Sequence, residues 1–302
     1  MGIASVGLVG YGEVGRIFSA GLIAAGVPSV SAWDLKFDGA AARDEALAHA
    51  AQHGVHACGG LADLCQRSTL LISAVTASNT LAVAQAVSTH IRPGGFFLDL
   101  NSASPGTKQQ AAALVDAAGG RYVEAGVMTS VPPHGLRVPM LLGGVHAPEL
   151  AAQLSDWGMD ATVVSERIGV ASATKMCRSV MIKGLEALVL ESYTTARHYG
   201  VEDAMIATLQ ETFPGIDWPP QGAYFFSRVA RHGQRRAEEM REAAHTVREA
   251  GFEPCMAEAI AGKHDWMAAQ ARAGHFDGLA PNPRWQDWAD RLLAARGTDP
   301  KP

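Results

Sequence analysis

Residues 3–15 read IASVGLVGYGEVG and join a short apolar run to a G-x-G-x-x-G turn. The run at residues 6–9 has the length and composition of a buried parallel strand. A helical pattern follows the turn, and residues 30–34, VSAWD, predict a second strand that ends in an acid. Asp34 lies 19 residues beyond Gly15. Strand, glycine turn, helix, strand and acid in this order are typical of a dinucleotide-binding unit.

The glycines of this turn each have a physical role in such a unit. Gly10 permits the tight turn, Gly12 lets the backbone approach a pyrophosphate, and Gly15 lets the helix pack closely on the strand. The free N–H groups and the dipole at the start of the helix favour an anion at the same place. The competing interpretation is a glycine turn that only packs. We expect the turn to bind a dinucleotide through Gly10, Tyr11, Gly12, Glu13, Val14 and Gly15.

The acid at the end of the second predicted strand bears on which dinucleotide is bound. A carboxylate at the position of Asp34 accepts hydrogen bonds from a ribose 2′-OH and repels a 2′-phosphate. This favours NAD, with NADP as the alternative because Lys36 brings a positive charge two residues later. The competing interpretation of Asp34 is an acid in a surface turn.

Composition limits the class of protein. The 302 residues are enough for two domains, and an apolar share of 48% indicates a globular chain. A net charge of -5 argues against nucleic acid or an anionic membrane as partner. No apolar run reaches the length of a membrane span, and the N-terminus carries no signal pattern. The four cysteines form no C-x-x-C pair, so we expect a reducing, cytoplasmic environment.

Three histidines, His49, His53 and His56, lie close together in sequence, with Cys58 nearby. The spacing of His49 and His53 places both on one face of a predicted helix. No helix-to-loop arrangement that would complete a ligand set is evident from the pattern. We interpret these histidines as a surface cluster and expect no metal.

Strand and helix patterns alternate to about residue 165, which predicts a Rossmann-like doubly wound parallel sheet in a domain at 1–165. Ligands in such sheets lie beyond the carboxyl ends of the strands. Val75, at the end of a predicted strand, and Thr76 and Ser102, in the loops that follow strands, are therefore expected to bind the cofactor. The predicted elements are strands at 69–75, 96–100, 122–125 and 139–142, and helices at 16–25, 40–52, 80–90 and 106–118.

Beyond residue 165 the strand patterns stop, so an all-helical domain is predicted at 166–302. Proline and glycine separate its helical stretches. Pro281, Pro283 and the tail at 297–302 predict a less regular end of the chain. The predicted helices are 170–198, 202–212, 222–250 and 254–273.

A lysine near the start of the first of these helices is the candidate catalytic group. Lys175 lies among small and apolar residues in the sequence GVASATKMCRS, at the junction of the predicted domains. Burial lowers the pKa of a lysine because it disfavours the charged form, which allows proton transfer near neutral pH. Arg178, Ser179 and Lys183 follow on roughly the same helix face. The competing interpretation is a lysine that extends into solvent beside Arg178.

With these motifs, the chain resembles the β-hydroxyacid dehydrogenase superfamily, which includes 6-phosphogluconate dehydrogenase, 3-hydroxyisobutyrate dehydrogenase and the imine reductases. The similarity covers most of the chain up to about Tyr193. Residues 99–105, DLNSASP, resemble the family segment beside the nicotinamide. Residues 126–130, GVMTS, fall on its substrate loop, and residues 169–175 fall on its G-x-G-x-x-x-K motif with Ala171 in place of the second glycine.

The resemblance implies an NAD(P)-dependent oxidoreductase that moves a hydride between nicotinamide and a small hydroxy acid. Lys175 is implied as the general acid/base, with Ser102 between nicotinamide and substrate. The chain departs from the family at Met128, which replaces a serine, and at Ser179, which replaces an asparagine. The implied substrate-binding residues are Ser102, Met128, Thr129, Ser130, Arg178, Ser179 and His232.

Three further implications follow from the resemblance. Relatives form dimers with intertwined helical domains, so a homodimer is expected. Imine reduction is the alternative reaction on this scaffold, although imine reductases commonly lack the lysine that Lys175 supplies here. A non-catalytic dinucleotide-binding module is the second alternative, and Lys175 with its preceding Gly169 speaks against it.

Residues 228–240, RVARHGQRRAEEM, resemble a branch of the superfamily with a short phosphogluconate-dehydrogenase-like helical domain. On a helix, His232, Arg235 and Arg236 form one patch, with Arg228 one turn earlier. Such a cluster suits a carboxylate or another anionic group. The competing interpretation is a solvated basic stripe paired with neighbouring glutamates.

Overall fold

The computed structural model describes residues 2–39 and 43–296. The chain divides into two compact units, Met1–Met176 and Cys177–Pro302. Residue 165, where the domain boundary was expected, is the last residue of the final strand, and the first unit continues into the helix that follows. Residues 40–42, where a predicted helix was to begin, lie outside the described residues.

The first unit contains one sheet, and the prediction of a Rossmann-like, doubly wound fold is confirmed. The strand order is β3-β2-β1-β4-β5-β6-β7-β8, and all neighbours are parallel except β6 and β7. The predicted strand at 139–142 is therefore antiparallel to β6, because a loop rather than a crossover helix connects the two. The strands are β1 (Ser5–Val9), β2 (Ser29–Trp33), β3 (His56–Ala57), β4 (Leu70–Ser73), β5 (Phe96–Asp99), β6 (Arg121–Val127), β7 (Met140–Gly143) and β8 (Ala161–Ser165).

Helices cover both faces of this sheet. In β4, Leu70 and Ile72 pack into the core under α1, α2 and α6, while Leu71 packs into the core under α3, α4 and α5. Alternate side chains of a strand point to opposite faces, so a continuous apolar run supplies both cores. The helices are α1 (Glu13–Ala24), α2 (Arg43–Gln52), α3 (Leu61–Arg67), α4 (Thr80–Ser88), α5 (Pro105–Ala117) and α6 (Ala147–Asp156).

Helix α7 begins in the first unit, and the second unit is helical as predicted. Its core is rich in aromatic residues, including Tyr193, Phe226 and Trp285. In the part of the chain that the structure describes, no helix is long and apolar enough to cross a membrane. The helices are α7 (Val170–Tyr199), α8 (Glu202–Thr212), α9 (Trp218–Glu249), α10 (Cys255–Arg272) and α11 (Trp285–Ala295).

The predicted irregular end of the chain is wrong for residues 285–295. Trp285, Trp288, Ala289 and Leu292 are buried at helical spacing on α11. This apolar stripe, which packs into the second core, decides the local structure. Pro281 and Pro283 lie in the non-helical segment that precedes α11. The tail at 297–302 lies outside the described residues.

Candidate active site

The glycine turn has the backbone geometry that a dinucleotide requires. Gly10 has φ +98°, and a Cβ there would lie 2.6 Å from the carbonyl oxygen of Ala74. A Cβ on Gly15 would lie 2.1 Å from the carbonyl oxygen of Gly10, so only glycine fits either position. A Cβ on Gly12, in contrast, would meet open space. No side chain caps α1 at Gly12, and the first turn of a helix favours an anion such as a pyrophosphate.

Asp34 is fixed at the edge of this turn. Its Oδ2 accepts a hydrogen bond from the backbone N–H of Tyr11 at 2.6 Å, and its Oδ1 accepts one from Lys36 N–H at 2.8 Å. Each carboxylate oxygen keeps a second lone pair, so the group still has acceptor capacity for ribose hydroxyls. The turn and the acid therefore fit the nucleotide half of a dinucleotide.

The predicted catalytic lysine meets the predicted nicotinamide loop within the first unit. Lys175 Nζ donates to Ser102 Oγ at 2.5 Å, and the Lys175 side chain is half-buried. A Cβ on Gly126 would lie 2.9 Å from the carbonyl oxygen of Ala171 and 3.5 Å from Lys175 Cβ. Glycine at position 126 thus allows β6 to pack closely against the first turns of α7. This contact joins three segments that are far apart in sequence.

A buried polar network, which the sequence reasoning missed, holds the loop that carries Ser102. Asp99 and Lys108 are both fully buried, with Lys108 Nζ 3.0 Å from Asp99 Oδ1 and donating to the Asp99 carbonyl oxygen at 2.9 Å. Tyr122 donates to Asp99 Oδ2 at 2.7 Å, and Asn101 N–H donates to Oδ1 at 2.9 Å. Burial and the Asp99 carboxylate raise the pKa of Tyr122 well above its usual value, so the phenol remains a donor.

Asn101 extends this network to the preceding strand. Its Oδ1 accepts from Val75 N–H at 2.8 Å, and its Nδ2 donates to Ser73 Oγ at 2.9 Å. The predicted cofactor residue Val75 therefore has its backbone fixed by the loop that contains Ser102. Thr76, which follows, is exposed. The signal for this role was present, because a polar D-x-N-S run directly follows an apolar strand.

Glu124 is a second missed residue, and it holds the start of α7. The side chain is fully buried, and its Oε1 accepts from Gly169 N–H at 2.7 Å and from Ala171 N–H at 3.1 Å. Its Oε2 accepts from Ser172 N–H at 3.4 Å. A carboxylate at a helix N-terminus satisfies free donors and complements the dipole. The sequence signal was an acid between the apolar residues Val123 and Ala125 of β6.

The remaining predicted substrate residues lie in the loop after β6 and on helices α7 and α9. Within the first unit, Met128 and Ser130 are half-buried and Thr129 is exposed in the loop after β6. In the second unit, Arg178 is exposed, Ser179 is buried and His232 is half-buried. Of the predicted substrate residues, the structure links Ser102 directly to Lys175.

The predicted basic patch on α9 is only partly correct. Arg236 is buried and pairs with Glu186 of α7, its Nε donating to Oε2 at 2.8 Å. Arg235 is exposed, 4.0 Å from Glu239. Burial raises the pKa of Glu186, and the Arg236 guanidinium opposes that rise. Arg236 therefore neutralises a buried acid, which neither interpretation of the patch anticipated.

His264 lies against the same buried pair in the second unit. Its side chain is fully buried, and its Nε2 is 3.7 Å from Glu186 Oε2. Burial lowers the pKa of His264 to about 3. The unfolded chain takes up this proton near pH 6.5, so between the two values the unfolded state binds more protons. Lowering the pH through this window therefore favours unfolding.

We expect this histidine to make the protein less stable in mild acid. Between pH 7 and pH 5, the group should cost roughly 2 kcal/mol of the free energy of unfolding. The measurement is urea unfolding of the wild type and of His264→Leu at both pH values. The wild type should lose more stability than the variant on acidification. Equal losses would show that His264 is not the group responsible.

The predicted histidine cluster is divided into two groups in the structure. His49 and His53 stack at 4.1 Å between ring centroids, and His49 Nδ1 is 3.1 Å from the Tyr11 hydroxyl. His56 instead lies with Cys58 and Asp63, with one ligand atom of each within 4.8 Å of the others. Burial and the nearby Asp63 carboxylate raise the pKa of Cys58 to about 12. Asp63 also accepts from Arg67 Nε at 2.7 Å, so we assign no metal to this cluster.

Comparison with known proteins agrees with this geometry. The family described as the NAD binding domain of 6-phosphogluconate dehydrogenase matches residues 5–133. A domain of unknown function (DUF1932) matches residues 196–267, within the helical unit. A conserved hypothetical protein from Sinorhizobium meliloti 1021 is 36% identical, with 96% of each chain covered and a TM-score of 0.76.

A second solved structure bears directly on the family. It is a conserved protein of unknown function described as structurally similar to 3-hydroxyacid dehydrogenases, and it is 29% identical, with 89% of this chain and 98% of that chain covered and a TM-score of 0.68. The chain belongs to the β-hydroxyacid dehydrogenase superfamily. Mycobacterium tuberculosis 3-hydroxyisobutyrate dehydrogenase shares the fold at 17% identity, with 98% of this chain and 100% of that chain covered and a TM-score of 0.71.

Membership of the superfamily gives the geometry a chemical meaning. The family match ends before α7, so it covers the glycine turn, Asp34 and Ser102 but not Lys175. The matched residues support a nicotinamide cofactor and oxidoreductase chemistry. The family match therefore gives no evidence about Lys175, and any role for this residue has to be argued from its contacts in the structure.

Proposed function

We propose that the protein is an NAD-dependent dehydrogenase that oxidises the CH–OH group of a small hydroxy acid, or catalyses the reverse reduction. The hydrogen bond from Lys175 Nζ to Ser102 Oγ carries the proposal. It joins a half-buried amine to the loop that follows β5, at the edge of the sheet where the glycine turn also lies. A proton-transfer group beside a dinucleotide site is what dehydrogenation of an alcohol requires.

When bound, nicotinamide supplies the hydride chemistry. In the oxidation, neutral Lys175 accepts the proton of the substrate hydroxyl while the carbon is oxidised to a carbonyl. In the reduction, the ammonium form of Lys175 returns that proton to the carbonyl oxygen. Ser102 Oγ, which accepts from the amine, would orient it and contact the same substrate oxygen. Glu124 and the Asp99–Lys108 pair hold the two segments that carry these groups.

Residues close to Lys175 in sequence support a proposal for the class of substrate. A guanidinium binds a carboxylate through two parallel hydrogen bonds, and exposed Arg178 stands three residues after Lys175. Thr129 and Ser130 add hydroxyl groups in the loop after β6. We therefore propose a carboxylate-bearing substrate, small enough for its acid to bind near the carbon that reacts.

A substrate panel tests the proposal. Purified protein is incubated with hydroxy acids and NAD or NADP, and formation of the reduced cofactor is followed at 340 nm. Turnover of at least one hydroxy acid supports the dehydrogenase. A parallel panel of cyclic imines with NADPH and NADH tests the imine reductase alternative. Cofactor binding without turnover of either panel would favour the non-catalytic module.

We expect Asp34 to set the preference for NAD. In Asp34→Ala, the loss of an acceptor for the ribose hydroxyls should weaken NAD binding, and the loss of a negative charge should relieve repulsion of a 2′-phosphate. The ratio of the NADPH and NADH dissociation constants should fall by roughly tenfold, or about 1.4 kcal/mol. A wild type that prefers NADP strongly would contradict this role.

A further inference from the structure

A groove beside the glycine turn carries charges that the dinucleotide fingerprint does not explain. It lies next to Asp34, whose carboxylate is bound to Tyr11 N–H. In dinucleotide sites, an acid at this position faces the adenosine ribose, so the groove adjoins the 2′ position of that ribose. The residues that line it are Gly12, Glu13, Arg16, Ile17, Lys36 and Glu45.

Arg16 is held in this groove by a partner from another helix. Both terminal nitrogens of Arg16, on α1, are 3.0 Å from Oε1 of Glu45, on α2. The Arg16 side chain is 27% exposed, whereas that of Glu45 is 75% exposed. The guanidinium also lies 5.9 Å from the centroid of the Tyr11 ring. An arginine, the side chain best suited to a phosphate, is thus held by a surface glutamate.

The charges around the groove are close to balance. Arg16 and Lys36 are matched by Glu13 and Glu45, and Asp34 adds one further negative charge. Glu45 has two effects at this position, because it occupies the guanidinium of Arg16 and places a carboxylate beside an incoming 2′-phosphate. Both effects disfavour NADP and leave the uncharged 2′-OH of NAD unaffected.

We propose that Glu45 is a specificity-determining residue, which excludes the 2′-phosphate of NADP by pairing with Arg16. When Glu45 loses its charge, Arg16 is released to bind that phosphate. The inference rests on dinucleotide binding, which is one part of the proposed function, and is independent of Lys175 and of the substrate. It adds to Asp34, which follows β2, a second discriminating group on helix α2.

Titration of dinucleotides into the Glu45→Gln variant tests the proposal, with bound NADPH and NADH followed by nicotinamide fluorescence. The dissociation constant for NADPH should fall about 3- to 10-fold, within the range of an exposed ion pair plus one removed charge. That for NADH should change less than twofold. The matched control is Glu149→Gln, which breaks a pair with Arg121 at 2.7 and 2.9 Å and similar exposure. It should change neither constant.

A double variant identifies the group that Glu45 restrains. In Glu45→Gln/Arg16→Gln, the gain in NADPH affinity should disappear. An unchanged NADPH constant in Glu45→Gln would overturn the proposal, and a gain that persists in the double variant would overturn the role of Arg16. These measurements need no turnover. Failure of the wild type to bind either dinucleotide would refute the cofactor site itself, which is a different outcome.

Discussion

Lys175→Ala is expected to lower kcat by about 10²- to 10⁴-fold, the usual contribution of a positioned general acid or base. The variant loses the only side chain that donates to Ser102 Oγ among the bonds found in the described residues. NADH affinity should stay within about twofold, because the glycine turn and Asp34 do not contact this amine. Steady-state kinetics on the substrate found in the hydroxy-acid panel, together with NADH titration, provide the measurement.

Two further variants distinguish loss of the proton-transfer group from a general effect of the substitution. Lys263→Ala removes a half-buried lysine that pairs with Glu191 at 2.6 Å, and it should retain wild-type kcat. Ser102→Ala should lower kcat less than Lys175→Ala, because it removes an orienting group and leaves the proton carrier in place. Normal turnover by Lys175→Ala would exclude the lysine as the acid/base. Turnover would then depend on another group.

Lys108→Met is expected to cost about 3–5 kcal/mol of the free energy of unfolding. The substitution preserves an unbranched side chain but leaves the fully buried Asp99 carboxylate without its cation. Removal of one partner from a buried ion pair is strongly destabilising, because the other charge remains out of water. Urea unfolding followed by circular dichroism measures the loss.

The double variant Lys108→Met/Asp99→Asn tests the cause of this loss. An amide carries no charge, so part of the lost stability should return, although the bonds from Tyr122 and Asn101 N–H weaken. Lys263→Met serves as the control, because its partner Glu191 is 67% exposed, and it should change stability by less than about 1 kcal/mol. A loss below that size in Lys108→Met would mean that water solvates Asp99 in the folded protein.

Local sequence was sufficient for the elements with strong periodicity. The helix predicted at 202–212 matches α8, and the long helix predicted at 170–198 differs from α7 by one residue. Apolar runs predicted the six strands that lie between the edge strands β3 and β8, because strands buried on both faces are rich in apolar residues. Short or edge elements such as β3, α3 and α6 were missed, since a few residues carry little periodicity.

Local sequence patterns did not determine the direction of β7 or the structure of α11. The strand pattern at 139–142 is the same whether the strand is parallel or antiparallel, and the length of the preceding loop decides between them. In α11, the proline-rich segment before Trp285 suggested irregularity. The helix instead gains its stability by burying Trp285 and Trp288 in the core of the second unit, a contact that no local pattern contains.

For this protein, the sequence by itself determined the dinucleotide unit, because Gly10 has a positive φ and Gly15 a close backbone contact that only glycine tolerates. It also singled out Lys175 and Ser102 as separate candidates. Only the tertiary structure brought the two together, and only the structure identified Asp99, Lys108 and Glu124 as the buried groups that hold them. The physical reason is that burial of charge depends on packing between distant segments. In a linear sequence, a buried lysine cannot be distinguished from a solvated one.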